Sequence, residues 1–224
     1  MNYKKDRVAL KPPLGWNSWD CYGPAVNEVQ LLGNARYMAE HLKAHGWQYV
    51  VCDIQWYEPE AGQRHWEYNR FAELCMDGFG RLIPAENRFP SAANGAGFKP
   101  IADQIHALGL KFGIHIMRGV PRLAVHRALP VKGTNVTCRD IAHVNSICAW
   151  NTDMYGVDVD RDGAQAYYDA IFELYASWGV DYVKVDDICN VKITPLEPYS
   201  ARREIEMIRR AIDRCGRDMV LSLS

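Results

Sequence analysis

Asp186 closes the run Tyr-Val-Lys-Val-Asp at 182–186, and strand alternation puts Lys184 and Asp186 on one side with Val183, Val185 and Asp187 on the other. A carboxylate at a strand end with an ammonium two residues earlier stays ionised at neutral pH, which suits a nucleophile or an electrostatic stabiliser. A structural Lys–Asp pair has the same spacing, and spacing does not choose between the two. Asp53 repeats the arrangement at the end of Tyr-Val-Val-Cys-Asp and is followed by Ile54, Gln55 and Trp56. An acid beside a Trp at a strand end is the equipment of a sugar site, because carboxylates accept hydroxyl hydrogen bonds and an indole face packs on CH surface. A turn or helix cap is the plainer use of a lone Asp. Trp16 and Trp19, in Gly-Trp-Asn-Ser-Trp-Asp, extend the theme, and one of the pair is expected to reach a ligand. His115 and Arg118 follow in Gly-Ile-His-Ile-Met-Arg-Gly. His115 reads either as an inward-facing site residue or as a hydrogen-bonded packing residue. Arg118 reads as an anchor for an anionic or hydroxyl-rich substrate, or as the partner of a loop acid.

Asp158, Asp160 and Asp162 with Gly163, and Asp169 at the twelfth position, match the spacing of a calcium loop. Against that, the last ligand is Asp rather than Glu, the eighth loop position is the polar Gln165, and no helix precedes Asp158. Capping of a helix that begins near Ala164 is the plainer account. No Gly-rich phosphate loop, nucleophile elbow, zinc-binding His pair or metal-spaced Cys cluster is present, so no cofactor and no metal are expected. The seven cysteines (21, 52, 75, 138, 148, 189, 215) contain no CxxC pair, and the odd count argues for core thiols rather than a disulfide framework. Asn135-Val-Thr matches a glycosylation acceptor, which matters only in a secretory compartment.

The elements that must position these residues are legible as alternating strand and helix patterns. Strands are predicted at Leu14–Ser18, Tyr49–Asp53, Lys111–Ile116, Asp181–Asp186 and Met219–Leu223. Apolar residues at helical spacing predict helices around 32–42, 98–108, 167–178 and 205–212. Gly46, Gly109 and Gly179 each stand where a helix hands over to a strand, so the βα unit repeats. Residues 54–97 and 117–161 form connections far longer than the ~2–6 residues a βα loop needs, and both follow strand ends, where such folds place their sites. With 224 residues, 48% apolar, 24% charged and a net charge of −1, the chain buries an ordinary core and offers no electrostatic attraction to nucleic acid or an anionic membrane. The absence of an apolar run after the basic start predicts a cytoplasmic protein without a secretory signal.

Five motifs stand in order along the chain. They are Pro-Pro-Leu-Gly-Trp-Asn-Ser-Trp at 12–19, Tyr-Val-Val-Cys-Asp-Ile-Gln-Trp at 49–56, Gly80-Arg81-Leu82 with Asn87-Arg88-Phe89-Pro90, Gly-Leu-Lys-Phe-Gly-Ile at 109–114, and Ala-Ser-Trp-Gly-Val-Asp-Tyr-Val-Lys-Val-Asp at 176–186. Together they resemble the catalytic barrel of glycoside hydrolase family 27, the α-galactosidase and α-N-acetylgalactosaminidase family. The resemblance implies an α/β fold of the (β/α)8 TIM-barrel type, with about the first five strands in this chain. It divides the chain into an extension at 1–10 and the amino-terminal portion of the barrel at 11–224. It implies a retaining α-glycosidase acting on an oligosaccharide or glycoside, with Asp186 as nucleophile. Asp53, Trp19, Lys184 and Trp56, with His115 and Arg118, would line the sugar site.

The partner acid, required about 5–5.5 Å from the nucleophile, comes in the family after a sixth strand, so this chain by itself is expected to be inactive. Its open sheet edges are expected to favour association between copies. The sequence departs from the family at Ile54, where a second acid reads a sugar hydroxyl, at His115, where Tyr is common, and at Ile188, where Cys is usual. Loss of that acid points to altered sugar specificity, for example toward a β-L-arabinopyranoside, or to a relative that binds sugar without hydrolysing it.

Overall fold

The computed structural model of the chain describes residues 7–63, 71–189 and 201–224. The first six residues of the expected 1–10 extension lie outside the described residues. Strand β1 (Leu14–Asn17) leads through the short helix α1 (Trp19–Tyr22) to helix α2 (Glu28–His41), and then to β2 (Trp47–Cys52). Helix α3 (Lys99–Ala107) precedes β3 (Lys111–Met117). An excursion follows, made of β4 (Val120–Pro121), α4 (Arg122–His126), β5 (Ala142–Ile147) and β6 (Met154–Val157). The βα alternation then resumes with α5 (Ala164–Trp178), β7 (Tyr182–Asp186), α6 (Arg202–Arg214) and β8 (Val220–Leu223).

Five strands pair in parallel in the order β1-β2-β3-β7-β8, and they are the five the sequence predicted. The sheet curls like half of a barrel. Its convex face carries Val50, Cys52, Phe112, Ile114, Val183 and Val185, all wholly buried, against α3 and α5. Period-2 alternation puts Tyr49, Val51, Tyr182 and Val220 on the concave side, with Val8 packed over them. Gly113 is there because a Cβ at that position would sit 3.0 Å from both Tyr182 Cβ and Val51 Cγ2. The helices stop where the chain turns left-handed: Gly46 and Gly179 have φ of 91° and 82°, and the Gly179 amide closes α5 on Tyr175 and Ala176 carbonyls.

The long connection at 117–161 contains an antiparallel sheet of its own, in the order β4-β6-β5, which the sequence reading left unassigned. Cys52, Cys138 and Cys148 are buried as expected, whereas Cys21 and Cys189 are exposed; all seven cysteines are free thiols. Among the described residues no helix is long and apolar enough to cross a membrane.

Candidate active site

The concave ends of four neighbouring strands converge on two carboxylates. Register sets Asn17 beside Val51, His115 opposite Lys184, and Met117 opposite Asp186, so the polar residues at the strand ends share one level. Asp53, just beyond β2, is 1% exposed, and its Oδ2 accepts from Asn17 Nδ2 at 2.7 Å and Lys184 Nζ at 3.2 Å. Its Oδ1 takes the Ile54 amide at 2.9 Å, while its own amide donates to Ser18 Oγ at 2.9 Å. Lys184 stands 3.9 Å from Asp186, so it bridges the two acids and leans toward Asp53.

Asp186 has the complementary character, with a side chain 20% exposed. Its Oδ2 is bonded to His115 Nε2 at 3.2 Å and its Oδ1 accepts the Asp187 amide at 2.7 Å. Burial pushes this carboxyl upward, but the His115 and Asp187 hydrogen bonds with the charges of His115 and Lys184 outweigh it, and the group is held below the ordinary aspartate range. The result is an ionised oxygen pair, fixed in orientation and open on one side, as a nucleophile requires. His115 is wholly buried and meets Asp186 through Nε2.

Trp19 lies at the rim, half-buried, its amide bonded to Asn17 Oδ1 at 2.8 Å. Its ring meets Trp150 edge-on at 6.5 Å, which brings the 142–153 segment over the same rim. Asn17, Ser18 and Trp150 were not singled out from sequence. Asn17 and Ser18 sit inside the Gly-Trp-Asn-Ser-Trp motif, yet their partner is more than thirty positions away.

Two residues expected at the sugar site make other contacts in the structure. Trp56 is 0% exposed and donates its Nε1–H to the His115 carbonyl at 2.7 Å. Its ring is enclosed by Tyr57, Phe98 and Trp178, because the chain turns toward the helices after Asp53 and takes this side chain to the convex face. Arg118 takes the second of its two readings, as the partner of a loop acid. Its Nη2 lies 3.0 Å from Asp187 Oδ2, its Nε donates to the Asp187 carbonyl, and its Nη1 is 3.8 Å from Glu204 Oε2.

The acids of the calcium-like spacing do not converge. Asp160 binds Arg203 and Asp158 binds Arg161, while Asp169 holds Gln165 and Arg214. Among the described residues, no group of three or more His, Cys, Asp or Glu side chains is arranged to hold a metal ion.

No family model matches the sequence. A solved β-L-arabinopyranosidase of glycoside hydrolase family 27 from Geobacillus stearothermophilus is 61% identical, with a TM-score of 0.94 over 100% of this chain and 50% of that one. A Bacillus halodurans protein with the provisional name α-N-acetylgalactosaminidase is 64% identical, with a TM-score of 0.87 over 97% of this chain and 49% of its own. α-Galactosidase A of Cellvibrio japonicus is 29% identical over 98% of this chain and 39% of its length. The chain thus spans about half the length of the solved relatives and less of the curated one.

Proposed function

The chain belongs to glycoside hydrolase family 27, and from that premise we propose that the protein hydrolyses terminal galactose-configured pyranosides with retention, through a glycosyl-enzyme on Asp186. The observation that carries this reading is the Asp186 carboxylate itself, held below the ordinary range, braced on both oxygens and open to solvent at the end of β7. In the first step a carboxylate oxygen attacks the anomeric carbon. The glycosidic C–O bond breaks, and a second carboxylic acid protonates the leaving oxygen. That group, now a carboxylate, then takes a proton from water, whose oxygen displaces Asp186 and frees the sugar. Lys184 and Asp53 form a fixed ion pair beside the nucleophile that suits binding of sugar hydroxyls, and Trp19 offers an apolar face at the rim.

Ile54 favours a β-L-arabinopyranoside among these substrates. Such a sugar matches an α-galactoside around the ring but lacks the hydroxymethyl arm. An apolar side chain where the family places an acid gives up one hydroxyl acceptor, which disfavours the sugar with the extra hydroxyl to place. The 61% identity to an arabinopyranosidase supports the same preference.

The test is release of nitrophenol by the whole protein from β-L-arabinopyranoside, α-galactoside and α-N-acetylgalactosaminide. Hydrolysis abolished in Asp186→Asn, fastest on the arabinopyranoside, is expected. Undiminished turnover by Asp186→Asn would remove the nucleophile, and a clear preference for the galactoside would remove the role given to Ile54.

A further inference from the structure

Asp187 is one of the few non-glycine residues in the left-handed region, with φ of 55°. Its amide, in the peptide that joins it to Asp186, donates to Asp186 Oδ1 at 2.7 Å. Aspartate visits the region more readily than most residues but still needs to be held there. The holding groups come from the segment after β3. Arg118 grips the turn from main chain and side chain: its amide donates to the Asp186 carbonyl at 3.1 Å, its Nε to the Asp187 carbonyl, and its Nη2 lies 3.0 Å from Asp187 Oδ2.

The guanidinium is itself located by packing. Glu204 of α6 stands 3.8 Å from Nη1 and is bonded to the Tyr168 hydroxyl, which in turn accepts the Gly119 amide at 3.0 Å. On the other side, a Cβ at Gly156 of β6 would lie 2.7 Å from Nη1 and 2.7 Å from Ser146 Oγ, so the guanidinium rests against bare backbone there.

We infer that Arg118 is a positioning residue for the nucleophile: by gripping the turn from the Asp186 carbonyl to the Asp187 carbonyl and carboxylate, it keeps the Asp186–Asp187 peptide in place, and with it the amide that fixes the Asp186 carboxylate. The inference rests on the reading of Asp186 as nucleophile. A fork that binds a carbonyl and a carboxylate together cannot be replaced by an ammonium, so charge alone will not restore the function.

The experiment compares Arg118→Lys and Arg118→Gln with the unaltered whole protein and with Asp186→Asn, using nitrophenyl β-L-arabinopyranoside and α-galactoside. The surface variant Arg203→Gln is the control, and thermal unfolding shows that each variant is folded. The inference expects kcat to fall about 10- to 100-fold in both Arg118 variants, with KM little changed. It also expects the acid limb of kcat/KM to move to higher pH, because Asp186 loses a hydrogen bond that favours its charged form. Adding Asp187→Gly to Arg118→Gln supplies a residue that adopts the turn unaided, and it recovers part of kcat.

If Asp186→Asn hydrolyses as well as the unaltered protein, the nucleophile reading fails and this inference goes with it. If Asp186→Asn is inactive while Arg118→Lys keeps its full kcat and acid limb, the reading stands and the inference is overturned. A crystal structure of Arg118→Gln in which Asp187 stays left-handed, with its amide still on Asp186, overturns it whatever the activity. An Arg118→Lys or Arg118→Gln chain that does not fold leaves the decision to Gly156→Ala, which crowds the guanidinium from outside and is expected to show the same fall in kcat. A folded Gly156→Ala protein with unchanged kcat counts against the inference.

Discussion

Asp186 and Asp187 are adjacent and chemically identical, and their carboxyl groups are driven in opposite directions. Asp186 points into the concave face, where hydrogen bonds from His115 and the neighbouring amide overcome burial and hold it below the ordinary range. Asp187 faces Arg118, where burial dominates, the charge of Asp186 adds to it, and Arg118 compensates only in part, so its carboxyl is raised. Glu204 is raised in the same way, because burial outweighs the charge of Arg118 and the Tyr168 hydrogen bond. The left-handed turn at Asp187 therefore separates a carboxyl held below the ordinary range from one held above it.

The sharpest way to break this contrast is to remove each carboxylate in turn. Asp186→Asn is expected to lower kcat on a nitrophenyl glycoside by roughly 10³-fold or more while the protein still unfolds cooperatively. Arg118→Met probes the enclosed side, since it leaves Asp187 and Glu204 buried without their cation. A loss of about 3 kcal/mol is expected, readable in urea unfolding. A smaller loss would mean that the cluster collapses or admits water.

Titration separates the neighbours more gently. The stabilising contribution of Asp186, whose folded pKa is depressed, is present above the ordinary value of 3.8 and fades as pH falls through the depressed value. That of Asp187, whose folded pKa is raised, is present below 3.8 and is lost as pH rises through the raised value. Relative to the unaltered protein, Asp187→Asn should therefore gain stability between about pH 4 and neutrality, and Asp186→Asn should lose it on rising from below pH 4. Unfolding midpoints at several pH values would show the two variants moving apart. The smallest effect belongs to Asp160, whose pair with Arg203 is exposed on both sides. Asp160→Asn should leave the midpoint unchanged in physiological salt.

Much of this contrast was readable in the residues themselves. The alternation Tyr-Val-Lys-Val-Asp puts Lys184 and Asp186 on one side without coordinates, and the five parallel strands announce themselves as short runs rich in β-branched, aromatic or Leu residues. What escaped depends on partners far away in the chain. Lys184 lies two residues from Asp186 but closer to Asp53, 131 positions off, and no local rule finds that preference. Arg118 has two readings in the sequence; its acids, Asp187 and Glu204, come from β7's end and α6. The antiparallel trio was missed because β5 is largely exposed and pairs through an irregular register, which removes the alternation a strand is recognised by. Trp56 misled for a related reason: beyond the last residue of β2 strand parity no longer says which face a side chain takes.

The two exposed thiols have a practical consequence. Cys21 sits in the short helix that begins with Trp19, and Cys189 lies two residues after Asp187, whereas Cys52, Cys138 and Cys148 are enclosed. Burial raises the thiols of Cys138 and Cys148, to about 12 and about 11, which slows their reaction with maleimides. A chain reduced to one of the two outer cysteines would accept a fluorophore at a known point without altering the acids.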